Sequence, residues 1–332
     1  MTDTFPAMLI RDKDHLQAEL TTLKRSDLPD LPVLVRVDYS SVNYKDGLAV
    51  SGKGRIARRF PMVPGIDVAG TVVESASPLF APGDKVIANG NGLSETEWGA
   101  FSTYQRLKPE WLMRQPDNLT QKQAMAIGTA GYTAALCVNQ LMAWGTIAPG
   151  EGSVLVTGAA GGVGSYAIAL LAALGFNVTA STGRPETHDY LASLGARAFI
   201  DRRELSEPGR PLQEERWTGA VDSVGSTTLA NVLAQTVYGG AVAACGLAGG
   251  PDLPTTVMPH ILRSVTLIGV DSVMAAPRRR EAAWRLLANT LTAGHMESVT
   301  AGEIALADLP GAANDIFAGK VRGRLVVKVA AD

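Results

Sequence analysis

The 332-residue sequence holds only two cysteines, Cys137 and Cys245, each in an apolar setting and neither within a CxxC pair. A disulfide framework and a zinc knuckle are therefore disfavoured, and buried structural thiols are expected. The four histidines, His15, His188, His260 and His295, are scattered without HxxxH or HExxH spacing, so no metal site is predicted. An excess of one charge is missing too. The net charge is −2, which leaves no electrostatic footprint for nucleic acid or an anionic membrane. The longest apolar run, YAIALLAALGF over 166–176, is far too short to span a bilayer. The amino-terminal stretch MTDTFPAMLIRDKD lacks the apolar core of a signal peptide, so a soluble, cytoplasmic protein is expected.

Glycine, by contrast, is abundant at 35 residues, beside 46% hydrophobic and 19% charged residues. This is the profile of a compact α/β protein, with length enough for two domains. The first third reads as short strands punctuated by Pro-Gly and Asn-Gly turns: VLVRVDY (33–39), IDVAGTVVES (66–75), DKVIAN (84–89) and AFSTYQRLK (100–108). An irregular, mostly antiparallel β domain is expected there. Thr120 is placed to cap a helix through QKQAMAIGTAGYTAALCVNQLM, with internal glycines that argue against one unbroken rod. Beyond it, apolar strands alternate with helices, which predicts a doubly wound parallel sheet. A helix from about 274 then leads to a last strand, GRLVVKVA, expected to return to the first domain. The expected domains are thus 1–125 with 274–332, discontinuous, and 126–273.

SVLVTGAAGGVGSYAIALL is the sharpest motif. A buried strand runs into a glycine-rich turn that opens a helix, so backbone N–H groups and a helix dipole face a close-lying pyrophosphate. Ala160, Gly161, Gly162 and Val163 are the expected cradle of a dinucleotide. The turn also fits the TGxxxGxG form of short-chain dehydrogenases, but those need a later YxxxK. The single one here, Tyr104 to Lys108, comes earlier. At the end of the second strand, an acidic residue would hold a ribose 2′-hydroxyl and repel a 2′-phosphate. The sequence instead has Ser181, Thr182, Gly183 and Arg184, a set suited to a phosphate dianion, so NADPH is the expected cofactor. Arg202, just after the third strand, is expected to join this phosphate site or stack on the adenine, with a surface role as the alternative.

SVNYKDGL, PMVPGIDVAGTV, PGDKV, IGTAGYTA and GAAGGVG occur in that order, and ACGLAGG, LPTTVMPHILR and LIGVDSV follow. With these blocks the chain resembles the medium-chain dehydrogenase/reductase superfamily, and more closely its acryloyl-CoA reductases, a branch labelled quinone oxidoreductase-like. The resemblance implies a Rossmann domain beside a GroES-like catalytic domain. Zinc alcohol dehydrogenases of that superfamily place a cysteine in the segment matching SVNYKDGL and a Gly-His-Glu in the one matching PGIDVAG. Here those positions carry Asn43, Ile66 and Asp67, a poor tetrahedral set. Metal-free members reduce activated C=C bonds or quinones, whose own conjugation spreads the negative charge.

For an α,β-unsaturated thioester, the protein must hold the alkene, donate hydrogen bonds to the developing enolate oxygen and let a proton reach the α-carbon. Tyr44 is the candidate: its phenol can donate to that oxygen, supply the proton, or only position the nicotinamide, which the resemblance places beside it. Asn43 is a second candidate donor, with turn satisfaction as the competing role. Asp46 is expected to cap the following helix or pair with Lys45. The resemblance adds cofactor contacts at Leu247, Ile261 and Ser272, although the first two read equally well as core residues. Lys53, Arg55, Arg322 and Arg324 are candidate contacts for the phosphates of an acyl-CoA substrate, against the ordinary reading of a solvated charged face. TLIGVDSV is expected to pair with its copy in a homodimer. A quinone or general enone reductase is the competing enzyme, and a non-catalytic NADPH-binding protein the competing class.

Overall fold

The computed structural model describes residues 3–145 and 147–330; Met1 and Thr2 of the amino-terminal stretch lie outside them. In chain order the first elements are β1 (Thr4–Leu9), β2 (Glu19–Lys24), β3 (Val33–Val42), α1 (Tyr44–Ser51), β4 (Asp67–Ser75), β5 (Lys85–Asn89), β6 (Tyr104–Leu107), β7 (Met113–Arg114) and α2 (Gln121–Trp144). Then follow β8 (Val154–Val156), α3 (Gly162–Ala173), β9 (Val178–Thr182), α4 (His188–Ser193), β10 (Ala196–Asp201), β11 (Trp217–Asp222), α5 (Ser226–Ala234), β12 (Thr236–Ala244), α6 (Met258–Arg263) and β13 (Thr266–Gly269). The last are α7 (Pro277–Thr290), α8 (Ala293–Val299), β14 (Thr300–Ala305), α9 (Leu309–Phe317) and β15 (Arg324–Lys328).

Two compact units result. One comprises residues through Thr129, Ser272–Pro277 and the chain from Thr300; the other comprises Ala130–Asp271 and Arg278–Val299. Residues 278–299 therefore pack in the second unit, whereas the sequence reading groups them with the first. α7 buries Ala283, Trp284 and Leu287, its Arg280 lies over the Tyr132 ring of that unit at 5.1 Å, and α8 packs against α3.

The first unit is built on a seven-stranded sheet of order β14-β15-β3-β4-β5-β7, with β6 also on β3. All its pairings are antiparallel except β14 with β15. In β3, alternate valines Val33, Val35 and Val37 enter the core, where they meet Val68 and Val72 of β4 and Val86 of β5. That period of two is the signature of a strand with one face toward a core. α1 lies against α9, where the Phe317 ring meets Tyr44 edge-on at 5.4 Å. Thr120 caps α2 as expected, its Oγ1 accepting from Gln123 N at 3.2 Å. The helical path breaks at Gly128, whose φ of 49° and ψ of −159° lie outside the helical region.

The second unit carries a parallel six-stranded sheet of order β10-β9-β8-β11-β12-β13. Its strands read as continuous apolar runs because both faces are covered. β8 and β9 are buried throughout, and α3 buries every residue from Gly164 to Leu171. The strand order reverses between β8 and β11, and in such sheets the crevice at the carboxyl ends of the strands at that point takes the ligand. Cys137 is buried as expected, but Cys245 is only half-buried, and its Sγ donates to Asp222 O at 3.4 Å. Among the described residues, no helix is long and apolar enough to cross a membrane.

Candidate active site

At the sheet's switch point, β8 leads through Thr157 into the glycine turn. Thr157 Oγ1 donates to Asp222 Oδ1 at 2.6 Å, which ties the turn to the end of β11. Burial pushes the Asp222 carboxyl above its ordinary range, against hydrogen bonds from Thr157, Gly225 and Val224. Gly158 has a φ of +59°, and a Cβ there would collide with Ser223 Oγ. At Gly164 a Cβ would lie 2.5 Å from Gly158 O and 2.7 Å from Ala159 Cα, so α3 can seat against the turn only with glycine there. Gly161 is exposed, and a Cβ on it would meet just Gly158 O, at 3.2 Å. The result is a concave backbone surface at the amino end of α3, where first-turn N–H groups lack partners within the helix. This cradle fits the pyrophosphate of a dinucleotide, and Ala160, Gly161, Gly162 and Val163 form it.

Thr182 ends β9 on the adjacent strand, and its Oγ1 accepts from Arg184 N at 3.1 Å. Arg202 begins the turn after β10, and its side chain lies over Gly183: a Cβ on that glycine would fall 2.5 Å from Arg202 Nε. The Arg202 side chain, the Thr182 hydroxyl and the Arg184 backbone N–H thus lie at the neighbouring ends of β9 and β10. Along the chain the first carboxylate after Thr182 is Glu186, beyond Arg184, and Asp201 at the end of β10 is engaged by Arg203 at 2.5 Å. Leu247 and Ile261 are 66% and 70% exposed, which removes the core reading of both and leaves them available to a ligand.

The other candidates belong to the first unit. Ser272 is half-buried, with its carbonyl packed against Gly90. Tyr44 opens α1 and is 59% exposed, its ring propped by Phe317. Lys53 lies over the same Phe317 ring at 4.9 Å, while Arg55 and Arg322 are exposed.

Three expectations are corrected by the burial of polar groups behind Tyr44. Arg324 is 3% exposed and cannot reach a substrate phosphate in solution. Its guanidinium donates to Ala126 O at 3.3 Å, Val42 O at 3.1 Å, Asn43 Oδ1 at 2.8 Å and Ser41 Oγ at 2.5 Å. Asn43 has no amide hydrogen left for a substrate, because Nδ2 donates to Asp46 Oδ2 at 2.9 Å and to Asp67 Oδ2 at 2.8 Å. Lys45 pairs with Glu95 at 2.6 Å rather than with Asp46. Asp46 accepts instead from Asn43 N at 2.9 Å, which closes the start of α1, and from Ile66 N at 3.0 Å. Complete burial, with the Asp67 charge next in importance, pushes the Asp46 carboxyl up to about 7.

Asp67, at the position matching the glutamate of the zinc enzymes, is fully buried and saturated. Oδ1 accepts from Asn89 Nδ2 at 2.5 Å and Thr129 Oγ1 at 2.6 Å. Oδ2 accepts from Ser41 Oγ at 2.5 Å, Asn43 Nδ2 at 2.8 Å and Thr129 N at 2.9 Å, with Arg324 Nη2 at 3.5 Å. Zinc does not fit here: the one carboxylate has no lone pair free, its neighbours are amides and hydroxyls, and a guanidinium already supplies the positive charge. Sequence reasoning missed Ser41, Asn89 and Thr129. Their shared partner Asp67 lies 22 to 62 residues away along the chain, and no local spacing marks them.

Comparison with known proteins agrees with this geometry. Residues 29–117 match the alcohol dehydrogenase GroES-like domain, and residues 162–289 match the zinc-binding dehydrogenase family. The chain belongs to the medium-chain dehydrogenase/reductase superfamily, in the branch of the acrylyl-CoA reductase AcuI and quinone-oxidoreductase-like proteins. It is 50% identical over 324 residues to a probable acrylyl-CoA reductase AcuI of Escherichia coli, covering 97% of this chain and 99% of that protein. Among solved structures, the yhdH oxidoreductase of Salmonella enterica in complex with NADP is 49% identical with a TM-score of 0.94, covering 98% of this chain and all of that one. The yhfP protein of Bacillus subtilis, solved with NAD bound, is 43% identical, also with a TM-score of 0.94 and the same coverage.

Proposed function

We propose that this protein is an NADPH-dependent acryloyl-CoA reductase that converts the C=C bond of acryloyl-CoA to the single bond of propanoyl-CoA without a metal. The observation that carries this reading is the near full-length, 50% identity to an acrylyl-CoA reductase, joined to a site where zinc has no ligands. NADPH, when bound, supplies the hydride that goes to the β-carbon of the thioester.

The chain's own residues do the rest. Ala160, Gly161, Gly162 and Val163 take the pyrophosphate on backbone N–H groups. Thr182, Gly183, Arg184 and Arg202 take the ribose 2′-phosphate, with the guanidinium forks as charge-assisted donors. Leu247, Ile261 and Ser272 border the nicotinamide half of the cofactor. Tyr44 acts on the thioester end: its hydroxyl donates to the oxygen where enolate charge collects or returns a proton to the α-carbon, and its ring holds the nicotinamide in place. Lys53, Arg55 and Arg322 meet the phosphates of coenzyme A; Arg324 has no part in this. A second copy pairs along the edge strand β13, where Met258, Ile261 and Leu262 leave exposed apolar surface beside it. The cytoplasm is the matching compartment for coenzyme A thioesters and NADPH.

A quinone or enone reductase would use the same cofactor site, as relatives named quinone oxidoreductases illustrate. Steady-state oxidation of NADPH, and of NADH in its place, should be measured with acryloyl-CoA, free acrylate and a small quinone. Acryloyl-CoA with NADPH is expected to be preferred in kcat/KM. Comparable turnover of the quinone with none of the thioester would sink the proposal, and no acceleration by any acceptor would point to a non-catalytic NADPH-binding protein. Tyr44→Phe separates the tyrosine's roles: a lower rate at unchanged NADPH affinity marks proton or hydrogen-bond donation, and weakened affinity marks positioning.

A further inference from the structure

The Arg324 guanidinium and the Asp67 carboxylate are 3% and 0% exposed, yet their direct contact is long, 3.5 Å. The guanidinium is spent elsewhere. Nη1 bonds both Val42 O and Asn43 Oδ1, the two acceptors immediately ahead of Tyr44 in the chain. Nη2 donates to Ser41 Oγ, which in turn donates a hydrogen bond to Asp67 Oδ2, and Nε donates to Ala126 O near the break in α2. Asp67 holds the same Asn43 side chain from the other direction, through Nδ2. Asn43 is therefore gripped at its amide oxygen by Arg324 and at its amide nitrogen by Asp67 and Asp46. The approach of these groups depends on Gly128. A Cβ there would collide with Arg324 Nη2 and fall 2.7 Å from both Asp67 Oδ2 and Ser41 Oγ.

A buried pair that cost desolvation free energy and returned only stability could be replaced by apolar side chains. This one is built around the residue that launches α1. We propose that Arg324, with Asp67 as its counter-charge, is a positioning residue that fixes the backbone at residues 42–43 and thereby sets where Tyr44 points. The inference rests on the role given to Tyr44 under Proposed function. Tyr44 itself is more than half exposed, with Phe317 as its ring partner among the described residues, so its aim depends on the backbone beneath it. Lysine cannot stand in for Arg324. A single ammonium cannot reach Val42 O, Asn43 Oδ1, Ser41 Oγ and Ala126 O together, although it keeps the charge opposite Asp67.

The test is a double-mutant cycle on the rate of hydride transfer, measured as single-turnover NADPH oxidation at saturating acryloyl-CoA, with Arg324→Lys and Tyr44→Ala. Arg324→Lys is expected to slow the step by on the order of 10- to 100-fold in the presence of Tyr44, as misplaced groups do. In the Tyr44→Ala background the same substitution is expected to cost less than about 3-fold, because the group it positions is gone. Ser41→Ala, which removes the hydroxyl bridging Arg324 and Asp67 without unpairing a charge, should give a smaller loss with the same coupling to Tyr44, and it serves if Arg324→Lys fails to fold. Losses of equal factor in both backgrounds would mean that the network merely supports the fold, and would overturn the inference while leaving Tyr44's role intact. A Tyr44→Ala enzyme running at full speed would remove both that role and this one.

Discussion

At Asp46 the fold keeps a carboxylate wholly out of water and beside a second one, Asp67. Three N–H donors favour its ionised form, yet burial outweighs them and raises the group to about 7. Unfolded, an aspartate titrates near 4. Between those values the folded state holds a proton that the unfolded chain has released, so stability from this group is full below about pH 4 and falls as pH rises through about 7. The expected outcome is that Asp46→Asn loses stability at low pH, where it cannot satisfy every N–H that faces Asp46. The gap in thermal midpoint between the natural protein and the variant should then narrow as pH rises from 5 to 8. A gap that stays constant or widens would show Asp46 ionised throughout. At this scale the sequence was legible only in part. Tyr44 and Arg184 could be singled out because their neighbours in the chain carry the argument. Arg324 was read as a contact for substrate phosphates and is buried instead, since its partners at Ser41 and Val42 lie 283 and 282 residues away and its neighbours Lys320 and Arg322 look like a solvated basic cluster.

The elements were easier to read, because a strand's period or a glycine turn is a local pattern. The β8–turn–α3 unit shows how far that reaches: the motif predicts a cradle, but only packing tells which glycine the fold itself requires and which it does not. Gly164 faces backbone atoms of Gly158 and Ala159, so Gly164→Ala is expected to lower stability by about 1–3 kcal/mol, as overpacking does, with a visibly lower thermal midpoint. Gly161 has an ordinary φ of −82°, and an added methyl there would meet only Gly158 O, on the surface proposed for the pyrophosphate. Gly161→Ala is expected to keep its thermal midpoint and to bind NADPH about tenfold more weakly, ~1.4 kcal/mol. Titration calorimetry beside thermal denaturation of both variants reads this contrast; matched losses in the two would show the distinction to be wrong. The sequence also hinted at the break in α2 through its internal glycines. It could not say that Gly128 is the one, because the groups that crowd it come from β3, β4 and β15.

For the whole molecule, the alternation of strands and helices predicted the wound sheet, and the final apolar stretch predicted a strand that rejoins the opening domain, as β15 does beside β3. The placement of 278–299 was not legible, because an amphipathic helix announces that it has an apolar face and not which core receives it. The return of β15 has a consequence for the birth of the protein on the ribosome. Chains commonly fold from their amino-terminal domain onward as they emerge. Here β14 and β3 are joined by a strand made after the whole second unit, and the positive charge facing Asp67 arrives on its first residue. Residues 130–299 are complete in the nascent chain while the earlier-made sheet still lacks β14 and β15, which leaves residues 39–42 of β3 without their strand partner. A chain ending at residue 323 is therefore expected to be cleaved by a dilute protease within residues 3–129 while 150–270 resists, with mass spectrometry of the fragments as the readout. Equal resistance of both segments would show that the first sheet closes without β15. In translation, the unit begun first must wait for β15, and a stall before Arg324 leaves a buried carboxylate without its counter-charge.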